Sequence, residues 1–161
     1  AMDLGRARSV EHSIDTGTAR PVHVRGHRSS VEQKRVMKEE VDKLEAAGLI
    51  RPSTSPWCSP FFLLKKKDGS WRPITDMRRV NDVTVKDSFP IPRVDECLDA
   101  LSGAKVFATL DLSSGFFQVP LSESSREKTA FSTPSGLYEW CVMTMGLCNS
   151  PCTFQRLMSL C

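Results

Sequence analysis

No apolar run in this chain approaches the ~18 residues that a bilayer span requires; the run Phe61 to Leu64 is only strand-length. The N-terminus carries no apolar signal segment, so the expectation is an intracellular protein with no membrane partner, cytoplasm and nucleus not being distinguished. The six cysteines (58, 97, 141, 148, 152 and 161) form no Cys-x-x-Cys pair and, without a secretion signal, read as free thiols. Cys148 and Cys152 are one turn apart but bracket the start of a predicted helix, which argues against a shared metal. Tyrosine occurs once, at Tyr138, and there is no internal repeat or low-complexity tract.

What is there is globular. The 161 residues are 40% hydrophobic and 25% charged, enough to bury roughly two-thirds of the unfolded surface in one domain plus a tail. The net charge of +3 matters less than its distribution. From Arg51 to Asn81 seven basic residues face two acidic ones; from Asp95 to Glu127 six acidic residues face two basic ones. A basic lobe beside an acidic one suits a protein that grips phosphate on one side and holds divalent cations on the other.

Residues 1–28 are polar, basic and unpatterned, and read as an extended or disordered leader. Asp15-Thr16-Gly17 matches the aspartic-protease triplet, but no apolar strand precedes it. His23 and His27 are spaced i, i+4, yet outside a helix that spacing does not converge on a metal. Ser29 and Ser30 are N-cap candidates with Glu32 and Gln33 as capping-box partners. Met37, Val41, Leu44 and Ala47 then repeat at helical spacing, Glu39 and Lys43 form an i, i+4 pair, and Gly48 ends the helix. A hairpin follows: Phe61 to Lys65, a turn at Asp68-Gly69, and Trp71 to Asp76. Pro90 and Pro92 open a short helix, Val94 to Leu101. Lys105 to Asp111 reads as a strand, Thr129–Thr133 and Leu137–Val142 as a second hairpin about Ser135-Gly136. Ser150-Pro151 starts a last helix over 152–160.

The chemistry concentrates in two places. Val106 to Leu110 delivers the carboxylate of Asp111 into a Ser-Ser-Gly turn, and an acid at a strand end is a rigid mount for Mg²⁺. Phe116 sits five residues on. The hairpin Leu64-Lys-Lys-Lys-Asp-Gly-Ser-Trp-Arg72 sets cations about a tight turn, where they can fold over a triphosphate. Taken alone, a basic hairpin is most often a solvated turn, and an acid after a strand is most often a helix cap.

These stretches, with Asp76-Met-Arg78-Arg-Val-Asn81 and Met145-Gly-Leu-Cys-Asn-Ser-Pro-Cys-Thr-Phe-Gln-Arg-Leu-Met158, resemble in order and spacing the reverse transcriptases of gypsy-type LTR retrotransposons and retroviruses. The resemblance runs from about Glu11 to Met158; residues 1–28 are similar to the segment linking protease to polymerase in such polyproteins. It implies an α+β fold, the fingers and partial palm of a right-hand polymerase, over 29–161. It further implies Asp111 as a catalytic metal ligand aided by the Leu112 carbonyl, and Mg²⁺ (or Mn²⁺) as cofactor. Lys66 or Lys67 and Arg72 would contact the incoming deoxynucleoside triphosphate. Phe116 would exclude a ribose 2′-hydroxyl, Met145 and Gly146 would lie at the nucleotide, and Arg78 and Gly146 at the template of an RNA or DNA template-primer. Met77, Val80, Thr144-Met145 and Cys152 depart from the family's usual residues.

In that family a Tyr-x-Asp-Asp turn supplies further carboxylates, and none occurs here. One Asp cannot place two metals, so the expectation is a partial palm that stops before that hairpin and no polymerase activity from this chain alone. Two competing expectations follow. One is a non-catalytic nucleic-acid-binding remnant. The other is an interaction protein that self-associates, or joins the remaining Pol segments, through an exposed palm edge.

Overall fold

Ser30 begins the first helix by the box its sequence predicts. Its Oγ accepts the Gln33 amide at 3.2 Å while Gln33 Oε1 accepts the Ser30 amide at 2.9 Å, and α1 runs Val31–Ala46. A computed structural model of the protein describes this helix together with the rest of residues 4–24, 26, 28–67, 69 and 71–160. Val36, Met37, Val41 and Leu44 turn inward. The outer face is paired differently from the expected Glu39–Lys43: Lys43 bonds Glu40 at 2.6 Å and Glu39 takes Arg35 at 2.6 Å. Both arrangements join one-turn neighbours on an exposed surface, where the difference is a few tenths of a kcal/mol.

Among the described residues β1 (Ile50–Pro52), β2 (Ser59–Lys65), β3 (Trp71–Thr75), β4 (Phe131–Thr133) and β5 (Gly136–Trp140) form one sheet in the order β1-β5-β4-β2-β3. The β2–β3 hairpin pairs Lys65 with Trp71 and Phe61 with Thr75. Asp68 of its expected turn, and His27 of the His23/His27 pair, lie outside the described residues. The chain returns to β2 through β4, which runs parallel to it with Ser59 opposite Phe131. The second hairpin is shorter than expected because Thr129 sits in a 3₁₀ turn; there its Oγ1, not a ladder carbonyl, accepts the Trp140 amide at 3.0 Å.

The core lies between α1 and one face of this sheet. Phe131 is fully buried at its centre, with ring centroids 4.9 Å from Phe61, 5.7 Å from Trp140 and 6.2 Å from Tyr138. The stretch 4–24, read as an extended or disordered leader, runs extended along this body. His12 bridges Leu121, His23 bridges Cys58, and Ile14 joins the core. Asp15-Thr16-Gly17 is a turn in which the Gly17 amide donates to Asp15 Oδ1, while the Asp15 carbonyl accepts the Val85 amide.

The remaining helices are α2 (Arg78–Val83), α3 (Val94–Ala100), α4 (Glu123–Arg126) and α5 (Ser150–Met158). α5 starts two residues before the expected 152. The expected strand Lys105–Asp111 is the main correction: residues 104–112 are neither helix nor strand, and they are exposed. A strand exists only by pairing its N–H and C=O groups with a neighbour, and no described strand pairs with this segment. Its apolar side chains stay in solvent, Val106 being 88% and Leu110 94% exposed, and Val94 and Leu98 of α3, with Leu101 just after it, are exposed as well.

Candidate functional site

Two clefts meet between the β2–β3 hairpin and α5. The first, of about 420 Å³, is lined by Asp111, Leu112 and Phe116 together with Met145, Phe154 and Met158. The second, of about 580 Å³, is lined by Lys66, Arg72, Thr75, Trp140 and Gly146 among others. Ser114, Phe117 and Met145 belong to both walls.

Local sequence explains how the first wall is shaped. Ser114 takes a left-handed conformation (φ 50°) that turns the chain out of 104–112 into the 3₁₀ turn Gly115–Gln118. Gly115 fits a tight space: a Cβ there would stand 3.0 Å from the Phe154 ring, which would have to give way. Phe116 packs edge-on against Phe154 at 5.3 Å, so α5 fixes the ring that faces the cleft. Asp111 itself stands exposed on the unpaired segment, without the rigid strand mount expected for it.

Hydrogen bonds from outside hold the floor of the second cleft. Gly146 sits at φ 94°, a conformation only glycine adopts readily. Crowding is not the reason, since a Cβ would meet only the Thr75 carbonyl at 3.8 Å. Asn81 donates from Nδ2 to the Gly146 carbonyl (2.6 Å) and accepts the Cys148 amide at Oδ1 (2.9 Å). The Arg72 guanidinium reaches the Met145 sulfur, tying hairpin to floor. Asn149 stands at the N-cap of α5 without capping it by its side chain; its carboxamide bonds the Val85 carbonyl and the Asp87 amide instead.

Not every expected residue converges. Lys67 lines neither cleft. Arg78 lies on another face, in a hollow with Pro60, Asp76 and Asn81, and grips Asp76 through Nε (2.9 Å) and Nη2 (2.6 Å). That pair raises the Arg78 pKa, chiefly by hydrogen bonding to the carboxylate, and Arg78 remains 87% exposed at its side chain. Behind the floor, Arg156 bonds Asp87 at 3.0 Å and lies 4.5 Å over the Phe89 ring. The Asp87 carboxyl is held below its ordinary range, first by the Phe89 amide and then by Arg156. Sequence reasoning missed Ser114, Phe117 and the two carboxamides as parts of this site; for Asn81 the only signal was its place beside Arg78.

Among the described residues no three His, Cys, Asp or Glu side chains come together as metal ligands, and no helix is long and apolar enough to cross a membrane.

Residues 64–160 match the family described as reverse transcriptase (RNA-dependent DNA polymerase). The chain is 39% identical over 155 residues to the retrovirus-related Pol polyprotein from transposon opus of Drosophila melanogaster, covering 93% of this chain and 16% of that protein. It is 38% identical over 154 residues to the Pol polyprotein from transposon gypsy of the same organism (92% and 15%), and 40% identical over 129 residues to the enzymatic polyprotein of cauliflower mosaic virus, strain Strasbourg (75% and 19%). It thus spans less than a fifth of the length of these curated relatives. Among solved structures it superposes on the prototype foamy virus protease-reverse transcriptase with a TM-score of 0.84 at 27% identity, covering 96% of this chain and 21% of that one. The foamy viral enzyme in complex with dsDNA gives 0.80 at 26% identity, over 99% and 34%. The sheet, hairpin and α5 are the fingers and part of the palm of a right-hand polymerase, and the chain belongs to the reverse transcriptase family.

Proposed function

We propose that residues 29–161, preceded by the linker-like leader 1–28, serve an RNA-directed DNA polymerase that adds deoxynucleotides to a primer 3′ end. The observation that carries this reading is the meeting of the two clefts at Ser114, Phe117 and Met145, with Lys66 and Arg72 on one side and Asp111, Leu112 and Phe116 on the other. Cations on a hairpin can neutralise a triphosphate from above. Phe116 below is the ring that a ribose 2′-hydroxyl would strike, and Met145 and Gly146 form the floor for the base pair. Arg78 and Gly146 face the template of an RNA or DNA template-primer, in keeping with foamy viral relatives solved with dsDNA and with an RNA/DNA hybrid.

The metal is a separate question. Mg²⁺ asks for about six oxygen ligands in near-octahedral array, and Mn²⁺ accepts the same donor types. Asp111 and the Leu112 carbonyl are donors of the right kind, but no other carboxylate lines the cleft they face and no three metal-ligating side chains come together among the described residues. The set is incomplete for one ion and more so for two, so these 161 residues alone are inactive. Further Pol segments, or a second copy, would cover 104–112 and α3.

The test is equilibrium binding of a labelled deoxynucleoside triphosphate with template-primer present. Replacing Lys66 and Lys67 together by Ala should weaken it about tenfold or more, the scale of losing one charge-assisted contact; unchanged binding would refute the hairpin's role. That no three such side chains meet among the described residues favours one second reading, a nucleic-acid-binding remnant without catalysis. Binding that falls with added salt while no nucleotide is ever incorporated, even with the remaining Pol segments supplied, would favour that remnant.

A further inference from the structure

We infer that Asn81 and Asn149 are a reciprocal pair of positioning residues that lock the Met145–Gly146 floor to the segment leaving α2. The inference rests on the nucleotide-site reading above. Each carboxamide bridges a carbonyl and the amide two residues further along the other segment. Asn81 takes the Gly146 carbonyl (2.6 Å) and the Cys148 amide (2.9 Å); Asn149 takes the Val85 carbonyl (2.8 Å) and the Asp87 amide (3.0 Å).

A carbonyl at i and an amide at i+2 facing the same way is the edge that one residue of a neighbouring strand would satisfy. Each side chain therefore acts as a one-residue strand, and the two do so in opposite senses. The pattern also fixes the carboxamide orientations, because each meets one donor and one acceptor.

The need for such a device is visible in the backbone. The loop between β5 and α5 is anchored by the buried Met143 and Leu147 and by the Ser150 hydroxyl on the Thr144 carbonyl, but between them Met145 and Gly146, the latter at φ 94°, lie outside the sheet ladder. The clamp makes it rigid from α2, whose first residue is Arg78. The Asp87 end is held in turn by Arg156 of α5. One frame thereby joins the template-facing arginine, the floor and the helix that backs Phe116. Neither asparagine need touch a ligand for this: both act through Gly146 and its neighbours.

The changes Asn81→Leu and Asn149→Leu test it, since each keeps about the side-chain volume and removes both the donor and the acceptor. In the 161-residue chain, Asn81→Leu should speed hydrogen exchange at the Cys148 amide, and Asn149→Leu at the Asp87 amide. Each should also loosen the opposite segment. Deoxynucleoside triphosphate affinity should fall about tenfold, while the far-ultraviolet spectrum holds. Asn81→Ser, which keeps a small hydrogen-bonding group, should fall between. Exchange that stays slow in both Leu variants, or a loosened loop with unaltered nucleotide affinity, overturns the clamp. If the unaltered chain binds no nucleotide, the site reading fails, and the exchange at the two amides still decides the clamp.

Discussion

His12 and Thr153 are joined by a 2.7 Å hydrogen bond between Nδ1 and Oγ1, across 141 residues of sequence, and both side chains are buried. The bond pins residues 4–24 to α5, and its neighbours extend the seam: the His12 amide donates to the Pro120 carbonyl, and the His12 carbonyl accepts the Ser122 amide.

The first prediction concerns acid. Burial pushes the His12 imidazole down to about 4, with Asp87 opposing in part. Its folded value lies below the unfolded value of 6.5, so the stability it contributes is complete above pH ~6.5. It is lost as the pH falls toward 4, because the buried ring must then charge. The depressed Asp87 carboxyl loses stability in the same direction at lower pH, so a variant is needed to separate the two. Between pH 7.5 and 4.5 the urea midpoint should drop further in the unaltered chain than in His12→Gln, the difference amounting to about 2–3 kcal/mol. Parallel drops in both would show that His12 is not the group responsible.

A second prediction reads the core. Phe131 is fully buried and stacks on Phe61, so Phe131→Ala removes a ring from the centre of the aromatic cluster. About 3–5 kcal/mol should be lost, enough to unfold much of a domain of ordinary stability. Phe131→Leu should cost less. Equal unfolding midpoints for Phe131→Ala and the parent would mean that the cluster does not organise the fold.

Sequence was informative where local signals decide. The Ser30 box, the Met37-Val41-Leu44 stripe and the Lys65–Trp71 hairpin follow from caps, periodicity and turn residues alone. The same holds for the family, since four stretches kept their order and spacing. It was uninformative where a partner decides. The Val106–Leu110 run has a strand's composition, but no described neighbour gives it a ladder. The polar stretch 4–24 buries Ile14 in the core and packs Leu4 and Val22 against it, and the rest of its attachment is written in backbone bonds that no composition shows. Asn149 beside Ser150-Pro151 looks like a cap, and only the fold places Val85 and Asp87 within its reach.

The third prediction concerns the template face. Arg78 is mostly exposed and its fork is held by Asp76, a geometry that presents a guanidinium edge at little further entropic cost. Arg78→Ala should weaken template-primer binding to a similar degree for every sequence and reduce the slope of log K against log salt by about 1. A loss confined to particular sequences, or an unaltered slope, would remove Arg78 from the phosphate contacts.

The last prediction is a negative one with a built-in control. Asp111 is the sole acidic residue in the wall of the first cleft, and two-metal phosphoryl transfer places two cations about 3.5–4 Å apart on shared carboxylates. The 161-residue chain should therefore extend no primer with Mg²⁺ or Mn²⁺, although it binds template-primer. Asp111→Asn should leave that binding unchanged or slightly tighter, because it removes a negative charge near the nucleic acid without removing a base contact. In a longer Pol protein that contains these residues and is active, the same substitution should abolish primer extension. Extension by the short chain would show that its own residues complete a metal site; survival of activity in the longer Asp111→Asn protein would show that Asp111 is not a ligand.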